Sequence, residues 1–202
     1  MPGYIDRLLT CLHHQPPNKP VDAPHQWRKL AYGRTKQLNV PQDSPPPLTP
    51  ATALLLQSTV GSLLFYSRAV DPSMLPGLNE ISTQQSKPKN NTQKKVSHPL
   101  DYVATHSNAT IRYHASEMCL HVDSDTAYLV LPKARSRLAG HYFLSNLPTN
   151  SDLVRPNGPI LTKCKTIRTV VASAAEAETH GIFHNAQIAL PIRYLLRQMG
   201  HP

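Results

Sequence analysis

Proline placement limits this chain before any other feature does. Ten of its 20 prolines fall within residues 1–50. Each one fixes φ and removes a backbone donor. Pro16-Pro17, Pro20, Pro24, Pro41 and Pro45-Pro46-Pro47 therefore exclude a regular helix or a central strand from most of the first quarter of the chain. The expectation there is a short helix over residues 5–12 followed by an extended connector, with Trp27 and Tyr32 as the aromatic anchors that pin it to a neighbouring surface.

Past the connector the punctuation becomes helical. Thr49 reads as an N-cap with Pro50 at the first helical position. Leu54, Leu55, Val60, Leu63, Leu64 and Tyr66 mix helical spacing with near-continuous hydrophobicity, which predicts a largely buried helix. Asp71-Pro72 ends it, and Met74, Leu75, Leu78 and Ile81 share one side of a second helix. The polar stretch 82–97 is either an exposed loop or the start of an amphipathic helix reaching Tyr102 and Val103; Pro88 and Pro99 favour a broken helix. From Thr110 the texture turns to strands, at residues 110–114, 118–131 and 140–145, then Ile160-Leu161 and residues 167–171, with a turn at Pro156-Asn157-Gly158-Pro159. A final helix runs from Ala174 to about Leu190, where Pro191 opens a fresh turn ending at Gly200. Strands and helix in one block argue for an α+β or mixed α/β layer. Three parts are expected: residues 1–50, 51–108 and 109–202.

Charge narrows the partners. The chain carries 21 Lys and Arg against 12 acids, a net charge of +9. The excess is even, with 11 basic and 6 acidic residues up to residue 109 and 10 and 6 beyond it, so no detachable basic tail exists. That balance excludes an acidic solvating tail and suits a polyanion. Cys11, Cys119 and Cys164 are odd in number and far apart, as expected for thiols in a reducing compartment. The first seven residues are too polar for a signal peptide. The most apolar stretch, residues 51–70, is interrupted by Gln57, Ser58, Thr59, Ser62 and Arg68, short of the roughly 20 clean residues a membrane helix needs. The expectation is an intracellular protein, cytoplasmic or nuclear, neither secreted nor membrane-embedded.

Few residues offer chemistry. Asp123-Ser124-Asp125 lies in a strand, where positions i and i+2 share a face, so two carboxylates project together. Paired hard oxygens suit Mg²⁺ or Mn²⁺; equally, Asp and Ser are ordinary where a strand turns into a loop. In Ser173-Ala-Ala-Glu176 the spacing is that of a capping box, which gives Glu176 a structural task. Glu178 faces about 200° away on the same helix and is free to serve a site, or is a solvated acid favoured by the helix dipole. Lys133, Arg135 and Arg137 make a basic turn that either touches phosphate or is simply solvated. His114, Cys119, His121 and Cys164 match no zinc spacing. No nucleophile motif, P-loop or Gly-rich dinucleotide loop is present.

In their order, these segments resemble the carboxy-terminal part of a copia-type retrotransposon polyprotein, from the end of reverse transcriptase into ribonuclease H. Met1-Pro-Gly-Tyr-Ile with Leu8-Leu9 is similar to the polymerase thumb. Leu56-Gln-Ser-Thr-Val-Gly-Ser-Leu-Leu-Phe-Tyr and Arg68-Ala-Val-Asp-Pro are similar to the connection segment. His121-Val-Asp-Ser-Asp resembles the first catalytic strand, Arg135-Ser-Arg-Leu-Ala-Gly-His-Tyr the following hairpin, and Ala172-Ser-Ala-Ala-Glu-Ala-Glu the catalytic helix. The resemblance implies a truncated ribonuclease H-like α/β fold, a mixed sheet with flanking helices, preceded by a mostly helical connection segment and a Pro-rich N-terminal region. It implies cleavage of RNA in RNA–DNA hybrids by two divalent ions, with Asp123 and Glu178 as metal ligands and catalytic acids. It places Asp125 as a neighbour or indirect partner of the ions, and Lys133, Arg135 and Arg137 as contacts to the hybrid.

Departures from that pattern matter as much. No Tyr-x-Asp-Asp occurs, which removes the polymerase palm and DNA synthesis. No acid follows Glu178, although the family carries its next catalytic Asp on a strand after this helix. Thr126 stands where the family pattern has Trp. Three acids would hold one ion weakly, because a two-ion site needs several carboxylates to offset its charge. The expectation is therefore a ribonuclease H-like fragment with absent or weak cleavage. The alternatives are a non-catalytic nucleic-acid-binding or interaction module, and a translated relic without a selected function.

Overall fold

The computed structural model describes residues 1–26, 46–131, 134–148 and 153–201. Trp27, Tyr32, Pro41, Pro45 and Lys133 lie outside these residues. The chain divides into two compact units, with the boundary between Thr110 and Ile111. Taken together, the described residues are mixed α and β, with five helices and one three-stranded antiparallel sheet.

Among the described residues four helices build the first unit: α1 (Tyr4–Cys11), α2 (Pro50–Ala69), α3 (Leu75–Ser82) and α4 (Asn90–Thr105), with a short 3₁₀ turn at Pro72–Met74. The Thr49 hydroxyl accepts from the Thr52 amide at 3.3 Å and starts α2 where the Thr-Pro pair predicts. Asp71 ends α2 and caps the 3₁₀ turn. Its carboxylate accepts from the Ser73 amide, the Ser73 hydroxyl and, at 3.0 Å, the Tyr102 hydroxyl, so this buried acid is fully bonded. The core joins Ile5 of α1 to Leu56, Val60 and Leu63 of α2, Leu78 and Ile81 of α3, and Val96, Leu100 and Val103 of α4. Residues 1–11 thus share a core with the helices that follow the connector. Residues 14–23 lie along α4 through polar contacts: His14 Nε2 to Asp101 at 2.8 Å, His98 Nε2 to the Ala23 carbonyl at 2.9 Å and His106 Nε2 to Asp22 at 3.1 Å.

The expected break at Pro99 does not occur. Pro99 sits inside α4 and is buried. It deprives the Lys95 carbonyl of its helical donor, but Val96, Pro99, Leu100 and Val103 form one buried stripe on both sides of the defect. Packing overrides the propensity. Pro191 also sits inside the last helix, which runs unbroken although this proline is exposed.

The second unit is a meander, β1 (Cys119–Leu131), β2 (Arg135–Ser145) and β3 (Pro159–Thr166), followed by α5 (Ala174–Gln198). The expected mixed sheet is, among the described residues, wholly antiparallel, with β1 paired to β2 and β2 to β3. Residues 110–114 form no ladder. At its end the Asn157 side chain bonds both the amide and the carbonyl of His114, at 2.8 and 2.9 Å. Residues 167–171 are likewise outside the sheet. Near its end β1 shifts register between Ala127 and Leu131, with Leu129 at φ 53° and its amide bonded to the Ser136 hydroxyl.

Candidate functional site

The geometry of the second unit follows from what α5 rests on. Ala177, Gly181 and Asn185, spaced four residues apart, form its buried stripe. A side chain at Gly181 would run into Thr126 of β1, and one at Gly140 into Asn185, so both glycines permit a close approach of helix to sheet. Asn185 then ties the layers together. Its amide nitrogen donates to the Ser124 hydroxyl and the Ala139 carbonyl, both at 2.8 Å, and its side-chain oxygen accepts from the Tyr142 hydroxyl at 2.8 Å. Tyr142 and Asn185 are both buried.

These contacts assign the two faces of the sheet. Ser124 and Thr126 point toward α5, so period-two alternation turns Asp123 and Asp125 to the opposite face, where both are exposed. They share one face, as their spacing predicts. Across the ladder Asp123 stands opposite His141 and Asp125 opposite Ala139. Phe143 lies between His121 and His141, with ring centroids 5.5 and 5.4 Å away. Glu178 belongs to the other side, half-buried on α5 one residue beyond Ala177. The strand acid and the helix acid are therefore not brought together, and the donor set does not fit one divalent ion held between Asp123 and Glu178. Among the described residues no group of three or more His, Cys, Asp or Glu side chains gathers to hold a metal.

Glu176 does the structural task that its spacing implies, with one difference. Its amide donates to the Ser173 hydroxyl at 3.1 Å, but its carboxylate reaches back to the Ala172 amide at 2.6 Å rather than to Ser173. Arg135 opens β2 and is exposed. Arg137 lies on the Asp123 face, opposite Ala127, and is partly buried. Beside it, burial pushes the Cys164 thiol up while the Arg137 guanidinium pulls it back. The three cysteines form no disulfide.

The α5 side of the sheet holds a cationic group that the sequence reading passed over. Lys163 stands opposite Gly140 and Lys165 opposite Leu138, on the helix-covered face. α5 packs on β1 and β2, leaving the β3 flank open. His180 and His184 face that flank, one helical turn apart, with ring centroids 5.2 Å apart. Burial, His180, Lys165 and Lys163, in that order, hold His184 below the ordinary histidine value. Two signals were available: lysines at i and i+2 in a strand, and histidines at i and i+4 in a helix, each pair sharing a face.

Among the described residues no helix is long and apolar enough to cross a membrane. Comparison with known proteins finds no match to a protein family, to a curated protein or to a solved structure.

Proposed function

We propose that this chain is a ribonuclease H-like fragment that holds nucleic acid without cutting it. The observation carrying this reading is a lysine-bearing flank that lies apart from the two strand aspartates. Asp123 and Asp125 face away from α5, whereas Lys163, Lys165, His180 and His184 surround the flank between α5 and β3. The two lysines on this flank can bind phosphate by counterion release, which needs no metal. The order of strands and helix, with Asp123 on the first strand and Glu178 on the helix, supports ribonuclease H-like ancestry. The disposition of the acids supports lost cleavage. RNA–DNA hybrid is the partner to test first, with other nucleic acids as competitors.

Titration of a labelled hybrid against salt, with Mg²⁺ or Mn²⁺ present, tests the proposal. The expected outcome is binding whose logarithm falls steeply with log salt, by about 0.9 per phosphate neutralised. Cleavage is expected to stay at background and to be unchanged by Asp123→Asn. No binding at low salt would end the reading. Robust cleavage lost in Asp123→Asn would restore the catalytic one.

Acidity gives a second measurement. In the free protein His184 titrates below its usual value, so it is neutral at pH 7. A phosphate on this flank adds negative charge beside His180, Lys163 and Lys165 and raises the His184 pKa, so binding takes up a proton. Affinity should therefore rise as pH falls from about 7 to about 5.5, the window in which an imidazole titrates. His184→Gln should flatten that rise while leaving binding at pH 7 nearly unchanged.

A further inference from the structure

The outward face of α5 is apolar and, among the described residues, uncovered. Ile182, Phe183, Leu190 and Tyr194 are 59–65% exposed, and Ala186 is exposed between them. At roughly 100° per residue these five side chains fall within a single stripe, opposite the buried one of Ala177, Gly181 and Asn185. Four large side chains this bare make a patch on the order of 500 Å², at the upper end of what monomers carry. Two such patches together reach about 1,000 Å², the lower limit for specific association.

We propose that this face docks a second copy of the chain, with the two α5 helices packed antiparallel about Ala186. Charge selects that occupant and that direction. α5 is acidic at its start, with Glu176 and Glu178, and basic at its end, with Arg193 and Arg197 both exposed. Antiparallel pairing centred on residue 186 sets Ile182 of each copy against Leu190 of the other. It also lays Arg193 and Arg197 over the partner's acidic first turns, where opposite charges and opposed helix dipoles attract. Parallel pairing would stack like charges at both ends. Ala186, the smallest side chain in the stripe, lies on the two-fold axis, where the backbones approach most closely. The contact is isologous and closes at two copies.

Sedimentation velocity on the nuclease-treated full chain, across a protein concentration series and without nucleic acid, tests this independently of the nucleic-acid reading. The expected result is a monomer–dimer equilibrium with no larger species. Leu190→Glu should raise the dimer Kd at least about tenfold, since a buried charge replaces a central apolar contact. Circular dichroism should show its fold intact, because Leu190 contributes little to the monomer's core. Ala186→Cys provides a measurement that does not depend on a disruptive variant: mild oxidation should give an intermolecular disulfide at a yield above that of the parent chain. A monomer at every concentration, an open series of oligomers, a dimer indifferent to Leu190→Glu, or no added cross-linking at residue 186 would each overturn the proposal.

Discussion

Reversing Lys163 and Lys165 together, as Lys163→Glu with Lys165→Glu, should weaken hybrid binding by about 10- to 100-fold at low salt and lower the slope of log K against log salt by about 1.8. Each phosphate contact contributes about 0.9 to that slope, and both lysines stand on the open flank of β3. The loss should be nearly independent of sequence, because phosphate contacts position a protein without reading bases. Lys165 is exposed and Lys163 only half-buried, so the thermal midpoint should move little. Reversal of Arg135, which opens β2 on the opposite face of the sheet, provides the comparison. An equal loss there would mean that net charge, not this flank, attracts the ligand. Salt titration by fluorescence anisotropy reads both variants against the parent chain.

The largest stability effect should come from Asn185. Replacing it with leucine removes three hydrogen bonds of 2.8 Å and leaves Ser124, the Ala139 carbonyl and Tyr142 to find partners in a buried layer. Stranded buried polar groups cost about 1–3 kcal/mol each before relaxation. Because Tyr142 retains a longer bond to the Asn185 carbonyl, at 3.3 Å, a total of about 2–4 kcal/mol is expected. For a unit of this size that corresponds to a fall in Tm of roughly 10–25 °C. Thermal unfolding followed by circular dichroism measures it. Asn185→Asp should also destabilise, and more at neutral than at acidic pH. A carboxylate buried against the Ala139 carbonyl has its pKa raised by desolvation, so its penalty is absent below the unfolded value near 4 and develops as pH rises. A loss below 1 kcal/mol in both variants would show that the helix and sheet are held by apolar contact alone.

These residues show what sequence could and could not convey. Local signals carried the helix starts. Thr49-Pro50 and Ser173 cap where they are expected to, and Asp71-Pro72 stops α2. Alternation placed β1 and put Asp123 and Asp125 on a common face, but β2, expected from Gly140, begins at Arg135, so Arg135 and Arg137 belong to a strand and not to the expected basic turn. Alternation did not tell which face α5 would choose, because period two fixes only relative orientation. That choice is made by long-range shape, by Gly140 and Gly181 letting Asn185 reach Ser124. Each glycine sits within a regular element, where its cost argues for a close approach, and that was the available signal. Pro99 misled because its effect on helix propensity is local, whereas the buried stripe through Val96 and Val103 is tertiary. Residues 110–114 misled because Asn157, distant in sequence, takes both backbone groups of His114 that a neighbouring strand would otherwise bond.

The position of β1 gives its two aspartates another use. Among the described strands β1 is a border, paired on one side only, and it is long for one, at 13 residues. An extended border strand invites edge-to-edge recruitment of further strands and, from there, fibrous precipitation. Two exposed carboxylates two residues apart make an approaching copy of the same strand bring like charge against like. The register shift past Ala127 bends the remainder away from flatness. Asp123 and Asp125 then act as gatekeepers of solubility, a role that requires only charge and exposure and is indifferent to any metal.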